Sequence, residues 1–276
     1  MEISNGRVVD AVGFHTPHGI THSADASWLP PPPPDLLTAS NSSYMLQFTE
    51  ANAGRIRSFP HVEGNYALHV FMPVPFSAIA RRQLEPLMKK AFSIAPELKP
   101  MEMELLTSAT VQTSDEVTLA KEYHISLSRT VPIRVHQINS IVDMLQNKFD
   151  CQKGFWLNLD QWELFVNDEQ TRSFLSLEVV GKGLPEICRQ IQVVDEVFRL
   201  HNLPAYYKAP RPHVSVAWAL GNAIPSVQKA VEELKKNSEV TCHVPLCSHF
   251  VKKIQCKIGS RTYCIWIEKV QPKAPF

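Results

Sequence analysis

From residue 65 onward the chain switches repeatedly between two hydrophobic periods. Asn65 to Met72 puts apolar side chains at every second position and stops at Pro73, the spacing of a half-buried strand. Phe76 to Phe92 changes to a spacing of three and four. Ile79, Leu84, Leu87 and Met88 share one face, and Arg81, Arg82, Lys89 and Lys90 the other, which predicts an amphipathic helix. A strand around Met103 to Leu106 precedes the run EYHISLSR (122–129), which Pro132 ends; a helix over Ile138 to Phe149 follows, with Ile141, Met144, Leu145 and Phe149 as its apolar stripe. Phe155 to Val166 and Phe174 to Val180 alternate about an Asn167-Asp168 turn and read as a hairpin. Pro185 opens a third helix in its first turn, where the missing N–H is tolerated. That helix runs to about His201 with Ile187, Ile191, Val194, Val197 and Phe198 inward. The loop NLPAYYKAPRP then leads into RPHVSVAW (211–218), a helix over Pro225 to Lys235, and a hairpin of Phe250–Lys257 and Thr262–Lys269 about Gly259-Ser260. Each half of this series holds strands, helices and one of two similar strands, so the pattern predicts an α+β domain of two antiparallel sheets with helices outside.

Residues 1–50 show no such period. Pro30 through Pro34 form an unbroken run followed by ASNSS, which favours polyproline II and cannot enter a helix or a sheet. The expected organisation is a flexible proline-rich tail, 1–50, and a folded domain, 51–276. Five prolines are also permissive for an SH3 or WW ligand. The net charge of +1 excludes a polybasic binder held by bulk electrostatics, so a nucleic-acid partner would be gripped locally, over few nucleotides. No apolar run reaches 18 residues, so no membrane span is expected. The N-terminus lacks the basic and apolar regions of a secretory signal, and the six cysteines then predict free thiols in a reducing compartment. Without coiled-coil heptads, a monomer is expected.

The candidate chemistry sits in the two similar strands. Each carries a histidine and, two positions later, a serine: His124 with Ser126, and His213 with Ser215. Residues i and i+2 of a strand point to one face, so each pair projects together from a stiff element. None of the other nine histidines has Ser or Thr at that position. Two core histidines, each bonded to a strand neighbour, would satisfy the bare pattern equally well. If the pairs meet in one cleft, the residue types suit phosphodiester transfer. A neutral imidazole takes the proton from a ribose 2′-hydroxyl, a protonated one supplies the leaving 5′-oxygen, and the two serines donate to the non-bridging oxygens. That chemistry calls for no metal or other cofactor. Cys242, His243, Cys247 and His249 offer a loose zinc spacing with no clean second pair. Tyr207 before Tyr206 is a candidate for stacking on a base, the alternative being that one ring fills the core under the loop. Lys208, Arg211 and Arg129 are candidates for phosphate contact or solvated charges. His69, on the face of Ala67 and Phe71, reads as a structural histidine.

Two His-x-Ser motifs in a duplicated α+β domain resemble the 2H phosphoesterase superfamily, whose fold is two pseudo-symmetric lobes about a central cleft. More narrowly, GRIRSFPHVEGNYALHVFMP (54–73), EYHISLSRT (122–130), FVNDEQTRSFLSLEV (165–179), YYKAPRPHVSVAW (206–218) and the terminal IQCKIGSRTY are similar to the U6 spliceosomal RNA 3′-end processing phosphodiesterase family. The resemblance runs from about residue 54 to the end and implies a 3′-to-5′ exoribonuclease. Such an enzyme trims the oligo(U) tail of U6 snRNA in the nucleus and leaves a 2′,3′-cyclic phosphate, which some members then open. It implies His124 and His213 as the catalytic pair, with His124 accepting and His213 donating, although the sequence itself leaves base and acid unassigned. It further implies that Ala209, Pro210, Arg211, Pro212, Val214 and Ser215, with Ile125, Ser126 and Tyr207, hold the terminal nucleotides of single-stranded RNA. Asp168 stands where some relatives carry glutamine; its carboxylate can accept from a uracil N3–H but cannot donate. Hydrolysis of small 2′,3′-cyclic nucleotides and non-catalytic binding of an RNA 3′ end are the competing readings.

Overall fold

The computed structural model describes residue 59 and residues 62–101, 123–221, 223–240 and 246–269. The proline-rich segment, the strand predicted at Met103 to Leu106, and Cys242 with His243 lie outside these. In chain order the elements are β1 (Asn65–Val74), α1 (Ala78–Ile94), β2 (Lys99–Pro100), β3 (Tyr123–Ser126), β4 (Val131–Arg134) and, after a 3₁₀ turn, α2 (Ile138–Phe149). There follow β5 (Phe155–Val166), β6 (Arg172–Val179), α3 (Leu184–Leu200), β7 (His213–Leu220), α4 (Ile224–Val240), β8 (Cys247–Val251), β9 (Lys253–Ile258) and β10 (Arg261–Ile267).

The α+β class holds, and the sheet pairings are antiparallel throughout. The two predicted sheets join into one, in the order β10-β9-β1-β3-β7-β6-β5-β8, with β4 added beside β1 and β2 beside β7. The seam between them is a single residue pair, Ile125 opposite Val214, where β3 meets β7. Membership of the two lobes does not follow the halves of the sequence. The C-terminal hairpin β9–β10 closes the first lobe against β1, whereas β8, ending two residues before β9 begins, closes the second against β5. The strand expected over Phe250 to Lys257 is therefore two strands serving different lobes, broken at Lys252. Pro132 does not end a strand but lies inside β4, opposite Ala67. β4 pairs with β1 alone among the described residues, so Pro132 occupies an edge position that does not need its missing N–H. What interrupts β3 is Ser128: its Oγ takes the Val70 N–H at 2.9 Å while the Leu127 and Ser128 amides both reach the Val70 carbonyl.

One face of the sheet is apolar. Leu68, Val70, Met72 and Val74 of β1 are fully buried, as are Ile125, Val214, Val216, Leu175 and Leu177; each such side chain contributes about 1.5–3 kcal/mol. The helices cover this face with the 3.6-residue stripes the sequence predicts: Leu84 and Met88 from α1, Ile141, Leu145 and Phe149 from α2, and Ile187, Ile191, Val194, Val197 and Phe198 from α3. Ile79 departs from its predicted inward position and is 70% exposed. Ser77 caps α1, accepting from the Ala80 N–H at 3.1 Å, and this start point turns Ala80 rather than Ile79 to the core.

Gly183 caps α3 with φ +90°, and a Cβ there would lie 2.6 Å from Leu157 Cβ and 2.8 Å from the Trp156 carbonyl oxygen. Gly183→Ala adds left-handed strain of roughly 1–2 kcal/mol to overpacking of roughly 1–3 kcal/mol. The expected result in thermal unfolding is a Tm lowered on the order of 10 °C; a change of less than about 2 °C would contradict the packing described.

Candidate active site

The opposite face of the sheet is polar along the seam. In β3 burial alternates, Tyr123 and Ile125 inward, His124 and Ser126 outward; in β7 Val214 is inward, His213 and Ser215 outward. Because Ile125 and Val214 pair across the seam, both His–Ser pairs stand on one face of adjoining strands. A cleft of about 690 Å³ opens there, lined by His69, Ser126, Arg129, Phe165, Asp168, Tyr207, Ala209, Arg211 and His213 among others. His124 stands beside it, its ring edge to face with His69 at 5.3 Å and with Phe71 at 5.5 Å.

His213 is held on two sides. Its Nδ1–H donates to the Arg211 carbonyl at 2.7 Å, which leaves Nε2 as its other nitrogen for proton transfer. Its ring stacks on Phe165, 3.7 Å between centroids and 16° from parallel. Phe165 is covered in turn by the Arg211 guanidinium at 4.7 Å. Arg211 forks onto Glu178 at 2.8 and 2.5 Å and reaches Glu163 at 3.4 Å. Glu163 also takes Lys235. Arg211 thus lines the cleft with its charge already matched by carboxylates, braced behind the histidine.

The titration behaviour separates the pair. The His124 residue keeps solvent contact, but its ring is crowded by its neighbours. Loss of water around it, then the positive charges of His213 and Lys257, lower it from 6.5 to about 4. Burial also lowers His213, opposed by its bond to the Arg211 carbonyl and by the negative charge of Glu178. The charge of His213 is thus one of the causes that depress His124.

At the mouth, Asp168 sits on the turn between β5 and β6. Asn167 fixes that turn: its Oδ1 accepts from Arg172 N–H at 2.7 Å and its Nδ2 donates to Thr171 and Glu169, with Gln170 at φ +54°. Arg129 pairs with Asp168 and lies over the Tyr207 ring at 4.9 Å. Tyr207 is 46% exposed, and Tyr206 packs beside it against the core, its hydroxyl pushed up to about 12 by burial. Of the other candidates, Ala209 lines the cleft, Lys208 is exposed, Pro210 is half-buried and Pro212 buried. Ile125 and Val214 turn their side chains into the core, leaving only main chain toward the seam. His69, read from sequence as structural, lines the cleft and meets Ser126 Oγ at 2.9 Å through Nε2. The local sequence could not show this, since it depends on β1 pairing with β3.

The described cysteines are free thiols. Of the zinc candidates within the described residues, Cys247 is buried with its thiol pushed up to about 11, and His249 hydrogen-bonds the Pro73 main chain. Among the described residues no three His, Cys, Asp or Glu side chains group as metal ligands, and no helix is long and apolar enough to cross a membrane.

The model of the HVSL family, described as an uncharacterised conserved protein, matches residues 30–266. U6 snRNA phosphodiesterase 1 of Xenopus laevis is 28% identical over 260 residues, 90% of this chain and 94% of its own length. The protein of that name from Rattus norvegicus is 29% identical over 220 residues, 77% of this chain and 73% of its own. The structure of Kluyveromyces marxianus Usb1 with uridine monophosphate matches 74% of this chain and 99% of that one, with a TM-score of 0.52 at 11% identity. The likeness is one of fold.

Proposed function

The chain belongs to the HVSL family, and from that membership and the cleft we propose that it is an RNA phosphodiesterase trimming the 3′ end of U6 snRNA. The observation that carries this is the placing of two His–Ser pairs on one face of two strands joined at Ile125 and Val214. The penultimate nucleotide's 2′-hydroxyl gives its proton to neutral His124 and forms a bond to phosphorus. The bond from phosphorus to the terminal 5′-oxygen breaks, and that oxygen takes the proton on His213 Nε2. The shortened RNA ends in a 2′,3′-cyclic phosphate. Ser126 and Ser215 donate to the non-bridging oxygens as charge grows there. Tyr207 offers its exposed ring to a base, and Asp168 offers carboxylate oxygens beside it, suited to a uracil N3–H. U6 snRNA as the substrate is taken from the names of the relatives, and the oligo(U) tail and a nuclear site of action extend that reading.

The test is incubation in EDTA with oligouridine, oligoadenosine, a 3′-phosphate-blocked oligouridine and a 2′,3′-cyclic mononucleotide, the products weighed by mass spectrometry. Stepwise shortening of oligouridine to cyclic-phosphate ends is expected, with the blocked oligomer resistant. Turnover of the cyclic mononucleotide alone, or binding without any product, would overturn the reading.

A further inference from the structure

His69 is a polar side chain beside the proposed catalytic groups that the reaction as written leaves without a task. It projects from β1 on the same face as Phe71, which lies opposite Ser126 in the β1–β3 register. Its Nε2 is 2.9 Å from Ser126 Oγ. Phe71 stacks on one side of its ring at 5.4 Å and His124 meets it edge to face, so the imidazole has a fixed plane. The second lobe repeats the device with another residue: Ser176 of β6, fully buried and directly opposite Ser215, brings its Oγ to 3.1 Å from Ser215 Oγ. Each motif serine is therefore bound by a side chain from the neighbouring strand of its own lobe.

A serine hydroxyl has one hydrogen and two lone pairs. If Ser126 spends its hydrogen on His69, it offers the phosphoryl oxygens only lone pairs, which repel them. If His69 donates instead, the hydrogen is left for the substrate. We infer that His69 is a positioning residue: its Nε2–H donates to Ser126 Oγ and thereby turns the serine's hydrogen toward the transferring phosphoryl group. This rests on reading the cleft as a phosphodiester site. Burial, then the charges of His124 and Lys257, lower His69 to about 3, so the ring stays neutral in the working range and its tautomer is the variable that matters.

Steady-state kinetics on oligouridine with His69→Phe, His69→Gln, Ser126→Ala and the His69→Phe/Ser126→Ala double variant test the assignment. Phenylalanine keeps the stacking and removes the donor; the glutamine amide restores a donor. His69→Phe is expected to lower kcat about 10- to 100-fold, less than the roughly 10²–10³ that losing an oxyanion donor outright costs, with KM little changed. His69→Gln should recover to within about threefold of wild type, and the double variant should be no slower than Ser126→Ala, because both changes remove one hydrogen bond. A merely structural role would make the two losses multiply. That result, or His69→Phe retaining wild-type kcat, or His69→Gln faring no better than His69→Phe, overturns the inference. Nitrogen-15 spectra of the imidazoles, with His69 assigned by its loss in His69→Gln, give a readout needing no substrate. Nε2–H is expected, and Nδ1–H would overturn the inference. An Nε2–H signal in a wild-type protein inert toward every RNA would sink the phosphodiesterase reading and leave the hydrogen bond standing.

Discussion

Alanine at His124 or at His213 is expected to lower kcat/KM on oligouridine by about 10²–10⁴, the worth of a general base or acid. Neither change should cost the fold, since His124 is exposed, His213 is half-buried, and the core beneath them is made of Ile125, Val214 and Val216. The double variant should be hardly worse than the weaker single one, because the two rings move one proton each in a single transfer. The pH profile says which ring does what. His124 must be neutral, as it is above about 4. His213 must be protonated, as it is below a pKa held under its ordinary 6.5. The kcat/KM profile of the wild type therefore rises through about pH 4 and falls again on the acidic side of 6.5. His124→Ala should flatten the acid limb and His213→Ala the alkaline one. Exchanged limbs would reverse the roles of base and acid; wild-type activity in either variant would remove the histidines from the chemistry altogether.

A single 2′-deoxy sugar at the penultimate position of the RNA is expected to abolish cleavage. The nucleophile is then missing, and no group on the protein replaces it. Binding should survive, because the bases, phosphates and terminal sugar are unchanged, so the deoxy oligomer should inhibit trimming of an all-ribose one competitively. Moving the deoxy sugar one position upstream should permit one cut and then stall. The position of the stall, read by mass, reports both the nucleophile and the direction of travel. Cleavage of the penultimate-deoxy oligomer at the all-ribose rate would show water attacking instead, and would dispose of the 2′-hydroxyl mechanism.

The parts of this site that could be read from sequence are those with a local period. The alternation of YHIS and HVSV places each histidine with its serine, and the turn residues Asn167-Asp168 and Gly259-Ser260 mark real hairpins between β5 and β6 and between β9 and β10. What stayed hidden depends on which strand lies next to which. His69 sits in an alternating apolar run where a core histidine is the ordinary reading; only the register of β1 against β3 gives it Ser126. Arg211 looks like a free cation beside a motif until β5 and β6 supply Glu163 and Glu178. The break at Lys252 was invisible because Val251 and Lys253 both belong to strands and only their partners differ.

The first lobe cannot be finished until the last strands of the chain exist. On a ribosome, β1 emerges early and remains an open edge on one side until β9, beginning at Lys253, arrives to pair with Leu68 through Phe71. A message cut short after Leu220 would encode both His–Ser pairs and still yield no working cleft. Completion of the first lobe therefore depends on the hairpin that begins at Lys253.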